Sequence, residues 1–315
     1  DWSSDVCSSD LALGLFGAGN VGASITKLIG PILITATAGA TYLGGLVAGG
    51  WRLIPAIYTV LLLVTALSIL LVTPHKDRMP GSSIPLKEQL EPLKEIRVWR
   101  FSLYYTVVFG AYVALSSMLP KYYEAQFGVP LWQAALLTAL FIFPASLLRP
   151  LGGSLSDRFG ARRIMYWTFW VMVVTSGILM MPQGHIILEV TKEKAADGTI
   201  EVLPWHVNIL MFTVLTIVLG CAMGIGKAAV FKHIPEYFPT HVGSVGGLVG
   251  MLGALGGFFM LPIFGYAQSL TGIKSSPFAV LFILTLICLI WMHIVVMKIL
   301  QKHSPNLLHI FERKH

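Results

Sequence analysis

What most constrains this chain is the recurrence of apolar stretches long enough to cross a bilayer, separated by short polar breaks. Stretches near 12–36, 52–72, 100–123, 131–151, 163–182, 206–231, 243–270 and 277–300 each approach or exceed the roughly 20 residues that a membrane-spanning helix needs. That makes about eight transmembrane helices and an all-α polytopic membrane protein. Composition agrees: 55% of the 315 residues are hydrophobic and 12% are charged, where a soluble domain carries about 25% charge. Segment 37–50, TAGATYLGGLVAGG, reads as a tight turn at the membrane surface.

The net charge of +7 does not point to nucleic acid, because the basic residues sit in short loops between apolar runs. Segments 73–100, 152–163, 232–242 and the tail from Lys298 fall on one side and hold fourteen Lys and Arg. The opposite loops hold five: Arg52, Lys121, Lys192, Lys194 and Lys274. The positive-inside rule then places the C-terminus in the cytoplasm. Segment 183–205 on the other side is acidic and shows no sign of a fold of its own. Residues 74–98 carry Pro74, Pro80, Gly81 and Pro85 and read as a linker. Within it Leu86, Leu90, Leu93 and Ile96 recur at helical spacing, which suits either a short helix lying on the membrane or a solvated charged linker. Residues 1–11, DWSSDVCSSDL, resemble a translated sequencing adapter rather than a signal peptide. On that reading the biological sequence opens near Leu11, inside a helix.

Residues 143–163, FPASLLRPLGGSLSDRFGARR, combine an intramembrane cation with an acid–base cluster. Arg149 stands at the end of an apolar helix, roughly 12 Å before Asp157 at 1.5 Å per residue. A cation facing hydrocarbon is costly, so Arg149 either faces an interior cavity or snorkels to the headgroups. A Gly-rich turn then carries Asp157, Arg158, Arg162 and Arg163. Two glycine stretches resemble each other, GLFGAGNVG at 14–22 and GSVGGLVGMLGALGGFFMLPIFG at 243–265. Gly243, Gly246, Gly250, Gly253 and Gly257 form a bare stripe, fit either for helix packing alone or for a substrate pathway. Lys227 lies in an otherwise apolar helix. It either faces the central cavity, where it could exchange a proton, or snorkels to the cytoplasmic face.

Other motifs fail on context. Gly17-Ala18-Gly19-Asn20-Val21-Gly22 matches GxGxxG, but it continues an apolar helix and lacks the acidic residue that a dinucleotide fold places about 20 positions on. His233 and His241 show no metal-ligand spacing. The three cysteines show none either. Nothing specific indicates catalysis, a metal or a cofactor.

GGSLSDRFGARR resembles the loop motif of the major facilitator superfamily, in the copy between helices 8 and 9. GAGNVG and GALGGFFMLPIFG are similar to the paired nitrate signatures of its nitrate/nitrite porter family, in helices 5 and 11 of twelve. The resemblance covers about residues 11–300 and implies helices 5–12. Residues 12–73 would be the last two helices of the N-terminal bundle, 74–98 the inter-bundle linker, 99–300 the C-terminal six-helix bundle and 301–315 a cytoplasmic tail. It further implies an anion site. Arg149 matches the substrate arginine of helix 8 and Tyr105 a helix 7 tyrosine, while Asn20, with Gly17, Gly19 and Gly22, matches the first signature. Gly246, Gly250, Gly253, Gly256 and Gly257 match the second. Gly153, Asp157, Arg158, Gly160, Arg162 and Arg163 match the conformational loop motif, in which Asp157 would pair with nearby arginines. The family's other anion-binding arginine lies on helix 2, among the N-terminal helices needed for a complete site. The implied function is secondary transport of nitrate and nitrite across a bacterial inner membrane, by proton coupling or exchange. The rivals are a sensor on the same scaffold and a carrier of another small anion.

Overall fold

A computed structural model describes residues 19, 21–72, 85–181, 184–189, 199–205 and 207–303. The helices are α1 Val21–Ala36, α2 Leu53–Val72, α3 Leu86–Leu90, α4 Ile96–Tyr105, α5 Ala111–Phe127, α6 Leu131–Leu147, α7 Arg149–Phe159, α8 Ala161–Leu179, α9 Ile209–Tyr237, α10 Val242–Thr271 and α11 Ser276–His303. A π-helical turn, Thr106–Gly110, joins α4 and α5 into one 32-residue span. Helices α6 and α7 form a second, bent span, turning by 42° at Leu148. With that pair, six spans among the described residues are long and apolar enough to cross a membrane. The described part of α1 has 16 residues, and α8 opens on Arg162 and Arg163, which lower its hydropathy. Each of the eight apolar stretches is helical over most of its described residues.

Helix α9 packs along α6, α7 and α8, while α10 lies against α4, the π turn and α5. α11 covers α8, and α1 packs on α6. Membrane helices gain nothing from burying apolar faces in apolar lipid, so close backbone approach through small residues holds them together. A side-chain carbon at Gly220 would lie 2.5 Å from the Phe141 carbonyl oxygen, and one at Gly152 2.5 Å from that of Ile225. At the other contact, a carbon at Gly110 would sit 2.8 Å from backbone atoms of Gly253 and Gly257. The end of the helices that holds Phe127 is closed by the rings of Tyr122, Tyr123, Phe127, Phe212 and Phe278.

Three expectations need correction. The Gly-rich stretch after Arg149 is helix, not turn. Pro150 stands in the first turn of α7, where a missing N–H costs nothing, and Gly152 serves the crossing with α9. The turn proper is the single residue Gly160, at φ 88°. Segment 183–205 does carry structure, an antiparallel hairpin of β1 Gly184–Glu189 and β2 Thr199–Trp205. Its β-branched and apolar residues suit a strand, and the count of acidic residues hid that. In the linker, α3 stops at Leu90 and gives way to a 3-10 turn, Glu91–Lys94, containing Pro92. Ile96 already belongs to α4, so the four apolar positions do not share one helix. Segment 37–50 folds into a short hairpin, Thr41–Tyr42 against Val47–Ala48, as a turn should.

Candidate functional site

Arg149 opens α7 directly after the bend, and this position puts it inside the helix cluster. It is only 9% exposed, as a side chain turned into the helix cluster is and a snorkelling one is not. Its guanidinium carbon lies 5.6 Å from the centre of the Phe231 ring of α9. The Tyr105 hydroxyl is its close neighbour. Tyr105 is the last residue of α4 and is 3% exposed. Its ring meets Phe231 edge-on at 4.9 Å and stacks on Phe109 at 5.0 Å. The π turn that follows Tyr105 is a device often found beside functional sites.

Lys227, about one helical turn before Phe231 on α9, is fully buried. Its ammonium sits 3.2 Å from the centre of the Tyr112 ring and 5.5 Å from that of Phe109. It also donates to the Ala145 carbonyl at 3.4 Å. Arg149 is its charged neighbour. The aromatic faces replace part of the water that the ammonium has lost. Tyr112 is itself held by Ser146 at 3.1 Å. Two cations therefore share an aromatic enclosure, and neither has a carboxylate in ion-pair range among the described residues. Such an enclosure suits a small anion. A guanidinium can donate two parallel hydrogen bonds to a planar oxyanion, and a phenol can orient it without changing the charge.

The glycines divide into groups. Gly253 lies directly on Tyr105, where a side-chain carbon would fall 2.2 Å from the ring and 3.0 Å from its Cβ. Gly256 and Gly257 press on Thr106, Gly110 and Val113, so they set the helix spacing that positions Tyr105. Gly246 and Gly250 face Phe231 with ordinary contact room. Gly19 and Gly22 are exposed, and a side chain at Gly22 would meet open space. Gly17 and Asn20 lie outside the described residues. No cluster of metal-ligating side chains occurs among the described residues.

At the far end of α7 the loop motif differs from its expected pairing. Asp157 does not pair with an arginine of its own cluster. It binds the Lys232 ammonium of α9 at 2.7 Å. The arginines point elsewhere: Arg158 over Phe159, and Arg162 to the Tyr237 hydroxyl at 3.4 Å. Arg163 lines an open groove with Trp167 and Trp170. Gly153 meets open space. Sequence reasoning did not single out Phe231, Phe109, Tyr112 or Ser146, since nothing separates them from other residues of apolar helices. Lys232 was visible only as one more loop charge.

Comparison with known proteins follows the same line. Residues 8–188 and 133–312 match the Major Facilitator Superfamily family model. The chain is 60% identical over 303 residues to a "Probable nitrate/nitrite antiporter NarK1" of Thermus thermophilus, covering 96% of this chain and 67% of that protein. It is 30% identical over 283 residues to a "Probable nitrate transporter NarT" of Staphylococcus epidermidis, covering 90% and 63%. A NarT of Staphylococcus haemolyticus is 28% identical over 283 residues, covering 90% and 64%. The chain thus spans about two thirds of the length of these relatives.

Proposed function

As the chain belongs to the nitrate/nitrite porter family of the major facilitator superfamily, we propose that it is the larger part of a multi-pass carrier moving nitrate and nitrite across a bacterial inner membrane. The observation that supports this most is the pairing of buried Arg149 with Tyr105, beneath Phe231 and with no acidic partner among the described residues. In this reading Arg149 grips the anion and Tyr105 orients it. Gly253, Gly256 and Gly257 let α10 come close enough to hold Tyr105 in place. In a chain of the relatives' length, the arginine that the resemblance places on helix 2 would complete the site. The loops at the α7–α8 end and the C-terminus face the cytoplasm.

Competition tests the substrate class in proteoliposomes holding the chain extended to its relatives' length. Nitrite should suppress uptake of labelled nitrate, and sulfate at the same concentration should not. Sulfate is tetrahedral and divalent, and a site shaped around a planar monovalent ion rejects it. Inhibition by sulfate without inhibition by nitrite would assign another anion.

We read the Asp157–Lys232 ion pair as a clasp between α7 and α9 that holds one conformation of the transport cycle. Its partners are about half and one quarter exposed, so its effect on stability is small. Asp157→Ala should slow turnover severalfold and leave the half-saturation concentration for nitrate nearly unchanged. A loss of affinity at normal maximal rate would contradict the clasp.

A further inference from the structure

A second cationic enclosure lies on the other side of α4, between α4, α8, α9 and α11. It is lined by Arg100, Tyr104, Arg162, His233 and Tyr237, with aliphatic residues of α11 closing it. Arg100 is 8% exposed, Tyr104 2% and His233 5%, while Arg162 stands exposed at the rim. The Arg100 guanidinium lies 5.1 Å from the Phe101 ring centre and 5.9 Å from that of Tyr237, whose hydroxyl accepts from Arg162. Neither arginine has a carboxylate in ion-pair range among the described residues. The Tyr104 hydroxyl and His233 Nδ1 are buried without a hydrogen-bond partner. The nearest acid, Glu236, stands 3.7 Å from His233 Nδ1 and is largely exposed.

Buried polar groups are normally satisfied, and buried charges are normally paired. Here both rules fail in one cavity: Tyr104 and His233 break the first and the buried Arg100 guanidinium breaks the second, beside the exposed Arg162. The cavity volume is about 20 Å³, slightly more than one water requires. A phosphate ester or lipid headgroup does not fit. Water would satisfy the hydroxyl but would not balance the buried Arg100 charge. We propose that this cavity is a second anion site, taking one monovalent inorganic ion of the size of chloride or nitrite. The ion bridges Arg100 and Arg162 and staples the ends of α8 and α9 to α4. The site shares no side chain with the Arg149 enclosure, so it stands whichever ion the central site carries.

Thermal unfolding of the full-length protein tests this, with chloride or bromide titrated against gluconate at constant ionic strength. The melting temperature should rise and saturate with the small anions, and Arg149→Gln should keep that response. Tyr104→Phe preserves shape and removes one donor, so it should move the titration midpoint at least tenfold upward, equivalent to ~1.4 kcal/mol. Arg100→Gln should abolish the response. In gluconate Tyr104→Phe should melt no lower than wild type, because its hydroxyl is unpaired there, and this readout survives even if Arg100→Gln does not fold. In crystals grown with bromide, an anomalous peak should lie between Arg100 and Arg162. An unchanged midpoint in Tyr104→Phe, a response lost in Arg149→Gln, or a cavity without bromide would each overturn the proposal.

Discussion

Arg149→Lys should raise the half-saturation concentration for nitrate at least tenfold, about 1.4 kcal/mol, with protein levels unchanged. The substitution keeps the charge and removes the planar fork. A guanidinium can meet two oxygens of a planar oxyanion at once and still lie against the Phe231 ring, whereas an ammonium is a compact point donor. Burial enlarges the difference, because at 9% exposure little water can replace the lost hydrogen bond. Arg149→Gln, which also removes the charge, should reduce uptake to background. Initial rates across a range of nitrate concentrations in proteoliposomes measure both. Normal nitrate uptake by either variant would remove Arg149 from the site.

The second large effect concerns Lys227. We propose that it carries the coupling proton. Its ammonium faces the Tyr112 and Phe109 rings, the Ala145 carbonyl of α6 and, as its charged neighbour, Arg149. A buried lysine among aromatic rings and another cation gains or loses a proton with small changes around it, and an arriving anion is such a change. Uptake should therefore increase as the outside becomes more acidic, since proton and anion enter together. Lys227→Met should abolish that pH dependence and leave exchange of nitrate between the two sides largely intact. Both follow from uptake and counterflow rates measured at several external pH values. An unaltered pH profile in the variant would end the coupling role.

The spans were legible because lipid leaves a chain few ways to satisfy its backbone, so apolar length alone locates the helices. The ends were less legible. The stretch after Arg149 looked like a turn because glycine normally weakens a helix. Here Gly152 is spent on contact with Ile225, and only Gly160 makes the turn. Arg149 and Lys227 stood out by being charges within apolar runs. The rings that enclose them did not, because a phenylalanine that lines a site reads like one that fills a core. The partner of Asp157 is 75 residues away on another helix, and a contact of that kind has no local signature.

We propose that a small planar anion crosses through the Arg149 enclosure. Counterflow measures this most directly, in proteoliposomes loaded with nitrite and exposed to trace labelled nitrate, comparing wild type with Arg149→Gln. Wild type should accumulate label transiently above equilibrium, driven by outward nitrite, while Arg149→Gln at equal reconstitution and melting temperature should not. Equal accumulation by both would place the path elsewhere, and none by correctly folded wild type would contradict nitrate/nitrite exchange through this site.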